Sequence, residues 1–469
     1  TMLKRSLVMG LVLTAACATN PVTGKSELAL ISESQEIQMG QQANEEAKAT
    51  YGLVDNAALQ QYVSGIGLKI AKTTERPNLP WTFSVIDDPA VNAFAIPGGH
   101  IFVTRGILGA MTNEAELASV LGHEIGHVTA RHSVHQMSQQ QLASLGLGLG
   151  SILSPTVARF GGVLGTGMQL LFLKYSRDDE SQADELGFRY MTNNGYDPRQ
   201  MAAMFEILDR EAPTEGRLPT WLATHPDPGN REQTALARVD SLHRNLSGTI
   251  VNRNQFLNAT NGLVYGENPR EGFFRNGLFM HPDLKFQFQV PADWKTQNTK
   301  QAVMAVSAQQ DAMVQLTMGQ GTPSQALQQF MGQQGIQQGQ VSTSSINGLP
   351  AASGYFQAQG QQGTLAGLVS YISYGGNTYQ LLAYTSAASF NGYNSTFRQV
   401  SGSFRQLTDP AALNVQPKKI EIVRLPSRMS LVVFNSRYPS TISLDELAII
   451  NGVQNTDSFE AGTLVKRVR

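Results

Sequence analysis

The stretch L-G-H-E-I-G-H-V at residues 121–128 decides how the surrounding chain folds and what it can bind. His123 and His127 stand four residues apart among small and apolar residues of the kind that fill a buried helix. Four residues of an α-helix turn through about 400°, so the two imidazoles face one side, one turn apart. Two nitrogen ligands in this arrangement can bind one Zn²⁺ ion. The stretch therefore predicts a metal site on a helix.

Glu124 follows the first of these histidines. It is close enough to reach a water at the metal without being a ligand. It can take a proton from that water and later pass it to a leaving amine. A glutamate and two histidines on a buried helix would be costly unless they are paired or functional. The pattern therefore predicts a hydrolytic site.

A catalytic zinc usually has three protein ligands and one open position, so a third ligand is expected elsewhere. The next polar helix offers S-R-D-D-E-S-Q-A-D-E at 176–185. Spacing alone leaves Asp179, Glu180 and Glu185 as alternatives for this ligand. Glu180 and Asp184 lie at i and i+4 and face one way. Asp184 could then accept the second N–H of a ligand histidine and fix its tautomer.

The single cysteine, Cys17, ends a typical export signal. Lys4 and Arg5 form a basic start, and an apolar run from Leu7 to Leu13 follows. With Thr14-Ala15-Ala16 before the cysteine, the segment resembles the cleavage box of bacterial lipoproteins, which predicts a lipoprotein signal peptide over 1–17 and a lipid on Cys17. The alternative is an ordinary signal peptide with an incidental cysteine. One cysteine also excludes an internal disulfide.

The motifs occur together with others that belong to one family. H-E-x-x-H at 123–127 and E-x-x-A-D at 180–184 resemble the gluzincin metallopeptidases that include prenyl-protein endopeptidases and bacterial periplasmic proteases that maintain β-barrel assembly. The resemblance covers residues 17–243. It extends to three further stretches, V-N-A-F-A-I-P-G-G-H-I-F-V-T-R-G at 91–106, G-Y-D-P at 195–198 and W-L-A-T-H-P-D-P-G-N-R at 221–231.

The resemblance implies roles for individual residues. His123, His127 and Glu180 would bind one Zn²⁺ ion, Glu124 would be the general base and acid, and Asp184 would support a ligand histidine. This assignment selects Glu180 from the alternatives that spacing leaves open.

The same resemblance implies a substrate strand and a further histidine. Asn92-Ala93-Phe94-Ala95 would line the cleft and pair with an extended substrate backbone, although Phe94 could equally be a core aromatic. His225 would lie near the metal, either as a donor to the tetrahedral oxyanion or as an inhibitory ligand in the open position. Arg231 would help to position its loop.

The second half of the chain has a different character. Residues 271–408 predict an α/β accessory domain with an antiparallel sheet, and G-L-F-M-H-P-D-L-K-F-Q-F-Q-V-P-A-D-W at 277–294 resembles a small domain of photosystem-associated proteins. Residues 411–469, with Y-P-S-T-I-S-L-D-E-L-A-I-I-N-G-V at 438–453, resemble a peptidoglycan-binding LysM module. The alternative is a packing domain that keeps that fold without binding glycan.

Local patterns also predict individual elements. One helix is expected over 113–140, a strand pair over 92–106 that turns at Pro97-Gly98-Gly99, a helix near 323–338 and a short helix at 443–450.

Together these features predict an α+β protein, with a mainly helical zincin-type peptidase domain and a small edge sheet over 18–250. We expect a zinc endopeptidase of extended or misfolded envelope proteins, serving outer-membrane protein quality control. The lipid on Cys17 would hold it in the periplasm, and Ala18 after the cysteine favours the outer membrane of a Gram-negative bacterium. The alternatives are an autoinhibited or weakly active, chaperone-like client-binding lipoprotein and a peptidoglycan-associated scaffold. A formal net charge of −1 gives no indication of nucleic-acid binding.

Overall fold

The computed structural model of the chain describes residues 17–144, 175–210, 221–225, 230–360 and 363–469. The chain divides into two compact units. The first unit holds the described residues up to Gly266 together with Lys418–Arg469, and the second holds Glu267–Pro417. Residues 1–16, and with them most of the predicted signal peptide, lie outside the described residues. Among the helices that are described, none is both long enough and apolar enough to cross a bilayer.

The helices of the described residues are, in chain order, α1 Glu33–Tyr51, α2 Ala57–Ala71, α3 Arg105–Ala110, α4 Glu114–Thr129, α5 His132–Ser144, α6 Arg177–Asn193, α7 Arg199–Arg210, α8 Trp221–Thr224, α9 Arg231–Ser241, α10 Arg253–Thr260, α11 Pro323–Met331, α12 Phe390–Gly402, α13 Pro410–Leu413, α14 Leu431–Arg437 and α15 Leu444–Asn451. The strands are β1 Cys17–Thr19, β2 Ser26–Leu28, β3 Thr82–Ile86, β4 Ala93–Ile96, β5 His100–Thr104, β6 Phe273–Arg275, β7 Leu278–His281, β8 Phe286–Gln289, β9 Lys295–Asn298, β10 Val303–Val306, β11 Ala312–Gly319, β12 Ile336–Ile346, β13 Leu349–Gly360, β14 Gly363–Tyr374, β15 Asn377–Ser386, β16 Arg405–Gln406, β17 Ile420–Arg424, β18 Met429–Ser430, β19 Ser458–Phe459 and β20 Leu464–Val468. The α+β class predicted from the sequence is confirmed.

Helix α4 carries the H-E-x-x-H motif through the core of the first unit, with all of its residues buried. Asn113 caps it, because its side-chain oxygen accepts a hydrogen bond from the backbone N–H of Glu116 at 3.0 Å. Glycines let α6 approach closely, since a Cβ on Gly122 would lie only 3.0 Å from the carbonyl oxygen of Gly187. This close approach brings the acidic face of α6 against the motif.

The single helix predicted over 113–140 is wrong at its middle, where the structure has two helices, α4 and α5. Arg131 separates them with a φ of 60°, a left-handed conformation that interrupts an α-helix. Its Nε donates to Oε2 of Glu36 at 2.9 Å, and its Nη2 donates to the carbonyl of Ile31 at 3.0 Å. These long-range bonds hold the break, which the local sequence pattern does not indicate.

The strand pair predicted over 92–106 is confirmed as β4 and β5. They are antiparallel, and the turn between them uses Gly98 and Gly99 at φ values of 85° and 101°, which glycine adopts without strain. Strand β5 also pairs in parallel with β3, so the order is β3-β5-β4. Within the described residues β4 therefore lies at an edge of the sheet.

Residues 418–469 pack as part of the first unit. Strands β17 and β20 are antiparallel partners, and α14 and α15 lie between them in sequence. Ile420 and Leu464 belong to the same hydrophobic cluster as the core of α4. Helix α15 confirms the short helix predicted at 443–450. The LysM-like character predicted for 411–469, like the domain boundaries, stays a prediction.

The second unit contains the predicted antiparallel sheet. Seven strands follow the order β12-β13-β14-β15-β11-β10-β9, and a second sheet follows β16-β8-β7-β6. The helix predicted over 323–338 ends early, as α11 stops at Met331 and β12 begins at Ile336. Gly332 caps the helix, and Gly335, with a φ of 89°, turns the chain into the strand.

Candidate metal centre

Four buried side chains meet where α4, α6 and the end of α8 converge. His123, His127, Glu180 and His225 each offer one ligand atom, and these atoms all lie within 4.8 Å of one another. The two Nε2 atoms of His123 and His127 are 3.0 Å apart. Nδ1 of His225 lies 3.0 Å from Oε1 of Glu180. Imidazole nitrogens and a carboxylate oxygen are the donor set of a catalytic zinc site, so these residues fit a Zn²⁺ ion.

The structure distinguishes among the three carboxylates that spacing leaves open. Glu180 is fully buried and faces α4, with its Oε1 3.4 Å from Nε2 of His127. Asp179 caps α6 instead, since its side chain accepts hydrogen bonds from the backbone N–H and hydroxyl of Ser176 at 3.0 and 2.8 Å. Glu185 points to solvent. Only Glu180 of these three lies in the cluster.

Asp184 lies behind the first histidine rather than in the cluster. Its Oδ1 is 2.9 Å from Nδ1 of His123. Arg231 binds the same carboxylate through Nε at 2.9 Å and Nη2 at 2.5 Å. The carboxylate thus fixes the His123 ring with Nε2 directed into the cluster, and Arg231 balances its charge. Asp184 therefore lies beside a ligand histidine, and Arg231, for which the sequence predicts a role at the loop of His225, bonds to Asp184.

Glu124 lies beside the cluster, with its Oε1 3.4 Å from Nε2 of His225, and has no exposed surface. Burial raises the pKa of its carboxyl to about 7, while the neighbouring His225 acts in the opposite direction and Glu180 adds to the rise. The backbone N–H of Ala95 also favours the ionised form. A glutamate whose pKa is close to neutral can both accept and return a proton near neutral pH.

The charges of His123, His127 and Glu180 suit metal ligation. Burial lowers the pKa of His123 and lowers that of His127 well below its ordinary value, which keeps the imidazoles neutral and able to bind a metal. Burial alone would raise the pKa of Glu180, but His225 and His127 outweigh this effect and hold the pKa far below its ordinary range. Burial alone would lower the pKa of His225, but Glu180 and Glu124 outweigh this effect and raise the pKa.

Strand β4 runs past this site. The backbone of Ala95 faces Glu124, and Ala93 pairs with β5. The carbonyl of Asn92 accepts the hydroxyl of Thr104 at 2.8 Å. The side chain of Phe94 is buried in a hydrophobic cluster and stacks on Phe102 at a ring distance of 5.1 Å. Its side chain therefore has the core position that the sequence left open as an alternative.

Three residues around the site received no role from the sequence. Tyr175 stacks on His127 at a ring distance of 3.9 Å, and Trp221 stacks on His225 at 4.2 Å. His132 places its Nδ1 2.9 Å from Nδ1 of His127. Trp221 lies in the conspicuous stretch 221–231, which was a usable indication. Tyr175 and His132 carry no local pattern that marks them.

A buried pair of histidines on one helix, a glutamate between them and another glutamate from the adjoining helix define a metallopeptidase-type domain. Residues 57–239 match the model of Peptidase family M48. This part of the chain belongs to that family.

Two curated relatives extend the comparison. The chain is 30% identical over 234 residues to the β-barrel assembly-enhancing protease of Escherichia coli (strain K12), covering 48% of each chain. It is 31% identical over 221 residues to the mitochondrial metalloendopeptidase OMA1 of Schizosaccharomyces pombe (strain 972 / ATCC 24843), covering 45% of this chain and 63% of the relative. The chain thus spans about half the length of the first of these relatives.

Among solved structures, the chain is similar to cyanobacterial PsbP from Synechocystis sp. PCC 6803, with 15% identity and a TM-score of 0.25. The match covers 28% of this chain and 94% of that one. A TM-score this low does not support a shared fold, so the resemblance predicted for 277–294 stays a prediction.

Proposed function

We propose that the chain is a zinc-dependent endopeptidase of the bacterial cell envelope that hydrolyses peptide bonds in extended or misfolded envelope proteins. The observation that carries the proposal is the position of Glu124, which is buried and lies 3.4 Å from His225 at the cluster of His123, His127 and Glu180. The name of the relative, a β-barrel assembly-enhancing protease, favours envelope substrates and outer-membrane protein quality control.

The residues of the site divide the chemistry among them. A bound Zn²⁺ ion would supply Lewis-acid polarisation of the peptide carbonyl and lower the pKa of water. His123, His127 and Glu180 would hold it, with Asp184 orienting His123. Glu124 would take a proton from the attacking water and deliver it to the amine that leaves.

Substrate binding is proposed at the edge strand. Strand β4 has one partner, β5, among the described residues, and it passes beside Glu124. An extended peptide added to this edge would form backbone hydrogen bonds that do not depend on its sequence. Such binding suits unfolded clients. Ala93 and Ala95 would act through their backbone. Asn92, whose N–H and carbonyl bond to Thr104, and the buried Phe94 side chain would instead hold the strand in place.

A second candidate is a resting form with little activity. Nδ1 of His225 lies 3.3 Å from Nε2 of His123, inside the group of ligand atoms. With its ring neutral, as metal binding requires, His225 would fill from that position the coordination site that a substrate carbonyl needs. The chain would then hold clients and cut them only when the segment around His225 moves away.

The location is likewise a proposal. Attachment through a lipid on Cys17 would place the protein in the periplasm at the outer membrane. Residues 411–469 would add a LysM-like contact with peptidoglycan. Sedimentation of the full chain with purified peptidoglycan tests that contact, and the same chain remaining in the supernatant would remove the scaffold alternative.

One comparison tests the peptidase proposal. The full chain and its Glu124→Gln variant are assayed for zinc content and for degradation of an unfolded protein. We expect equal zinc contents and cleavage by the wild type alone. Glu185→Gln, a change at an exposed glutamate of α6, is the matched control and should cleave like the wild type. Equal cleavage by the wild type and Glu124→Gln would end the peptidase claim.

A further inference from the structure

His132 contacts the second histidine of the motif from behind. It is 4% exposed, and its Nδ1 lies 2.9 Å from Nδ1 of His127. Its other nitrogen, Nε2, lies 2.8 Å from Oε1 of Gln182 on α6. The three side chains form a line of hydrogen-bonding atoms that begins at the cluster and ends on the neighbouring helix.

The donor and acceptor in each of these hydrogen bonds follow from the two groups at the ends of the line, His127 and Gln182. Nε2 of His127 faces the other ligand atoms, 3.0 Å from Nε2 of His123, and a ring that binds the metal through Nε2 carries its hydrogen on Nδ1. Nδ1 of His132 must then be the acceptor. Nε2 of His132 carries the remaining hydrogen and donates it to Gln182, whose amide oxygen can only accept. All members are satisfied in this one arrangement.

The break at Arg131 creates this contact. In a continuous helix, residue 132 would be rotated about 140° from residue 127, and the two side chains would point to different faces. The left-handed conformation of Arg131 redirects the chain, and its bonds to Glu36 and the carbonyl of Ile31 hold it there. A left-handed residue other than glycine costs about 1 kcal/mol, so other contacts maintain it.

We propose that His132 is a positioning residue for the metal centre. It accepts the Nδ1 hydrogen of His127 and so fixes that ring with Nε2 toward the metal, as Asp184 does for His123. Tyr175, stacked on His127, limits rotation of the same ring. The proposal rests on the proposed function, because it assumes that the cluster binds zinc.

The test measures the zinc dissociation constant of the full chain by competition with a chromophoric chelator. Losing such a support weakens metal binding by about 10–100-fold, and we expect this for His132→Ala. His132→Asn retains an acceptor near the position of Nδ1 and should bind zinc several-fold more tightly than His132→Ala. His135→Ala on the same helix is the control, because His135 bonds to Gln139 rather than to the cluster, and it should bind like the wild type.

The unfolding temperature of each metal-free variant separates positioning from loss of structure. Equal unfolding temperatures for His132→Ala and His132→Asn, with different zinc affinities, support positioning. Zinc binding by His132→Ala as tight as that of the wild type overturns it. Equal losses of affinity in both variants also overturn it, because the acceptor would then be irrelevant. A wild type that binds no zinc would instead refute the proposed function itself.

Discussion

The carboxylate of Asp184 lies 2.9 Å from Nδ1 of His123, although the two residues are 61 positions apart in the chain. The same carboxylate receives two hydrogen bonds from the guanidinium of Arg231. Because all three side chains are buried, the charges of Asp184 and Arg231 depend on each other. The support of a metal ligand and the stability of the core are therefore linked at one residue.

The first prediction concerns this link. Asp184→Ala leaves the Arg231 guanidinium buried without its main partner, which costs about 3–5 kcal/mol of the free energy of unfolding. It also removes the acceptor of His123, so zinc binding should weaken by about 10–100-fold. Urea unfolding of the metal-free protein and chelator competition measure the two effects. Asp240→Ala, an exposed position on α9, is the control and should change stability by less than about 0.5 kcal/mol.

The second prediction concerns His225. Because its Nδ1 lies inside the group of ligand atoms, we expect His225→Ala to raise the resting rate of cleavage of an unfolded protein. His243→Ala, at an exposed histidine, should not. A fall by about 100–1,000-fold would instead identify His225 as an oxyanion donor. No change in either resting or stimulated cleavage would remove both roles.

The third prediction concerns the pH dependence of stability. Burial lowers the pKa of His100 to about 4, with Lys48 adding to the shift and Glu45 opposing it. In the unfolded chain the His100 ring becomes protonated below about pH 6.5, whereas in the folded chain it becomes protonated only near pH 4. The stability from the neutral ring is therefore complete above pH 6.5 and is lost as the pH falls toward 4.

His100→Gln removes this dependence. Between pH 7 and 5 the free energy of unfolding of the wild type should fall by about 1 kcal/mol more than that of the variant, allowing for screening by water. Urea unfolding at both pH values measures the difference, and His243→Gln should behave like the wild type. Parallel curves for the wild type and His100→Gln would contradict the prediction.

The fourth prediction concerns the C-terminal residues. The buried Nζ of Lys466 donates to the carbonyl of Gly109 at 2.7 Å and to that of Met111, next to the start of α4. Lys466→Ala leaves these carbonyls without their donor and should cost about 2–4 kcal/mol. Thermal unfolding measures it, with the exposed Lys419→Ala as the control. An unchanged unfolding temperature would show that these two hydrogen bonds contribute little to the stability of the first unit.

Local sequence was sufficient for features that depend on neighbouring residues. The spacing of His123 and His127 sets their common face, and Asn113 caps the helix that carries them. The paired glycines after Pro97 give the turn between β4 and β5 its positive φ angles. In each case the physical cause lies within a few residues, so a pattern can reveal it.

Long-range contacts decided the rest. Asp179 and Glu180 are adjacent and chemically similar, but one caps its helix through Ser176 and the other reaches His127, because of how α6 packs on α4. The predicted helix 113–140 fails at Arg131 because Glu36 and the carbonyl of Ile31 hold a left-handed conformation there.

The sequence by itself thus determined the two-histidine helix, its glutamate and the family resemblance, since helical periodicity is a local property. Only the tertiary structure decided which acidic residue joins the cluster, that His132 lies against His127 and that the last fifty or so residues pack with the first unit. The physical reason is that burial and contacts between distant segments exist only once the chain has folded. The periodicity of the sequence therefore does not indicate them.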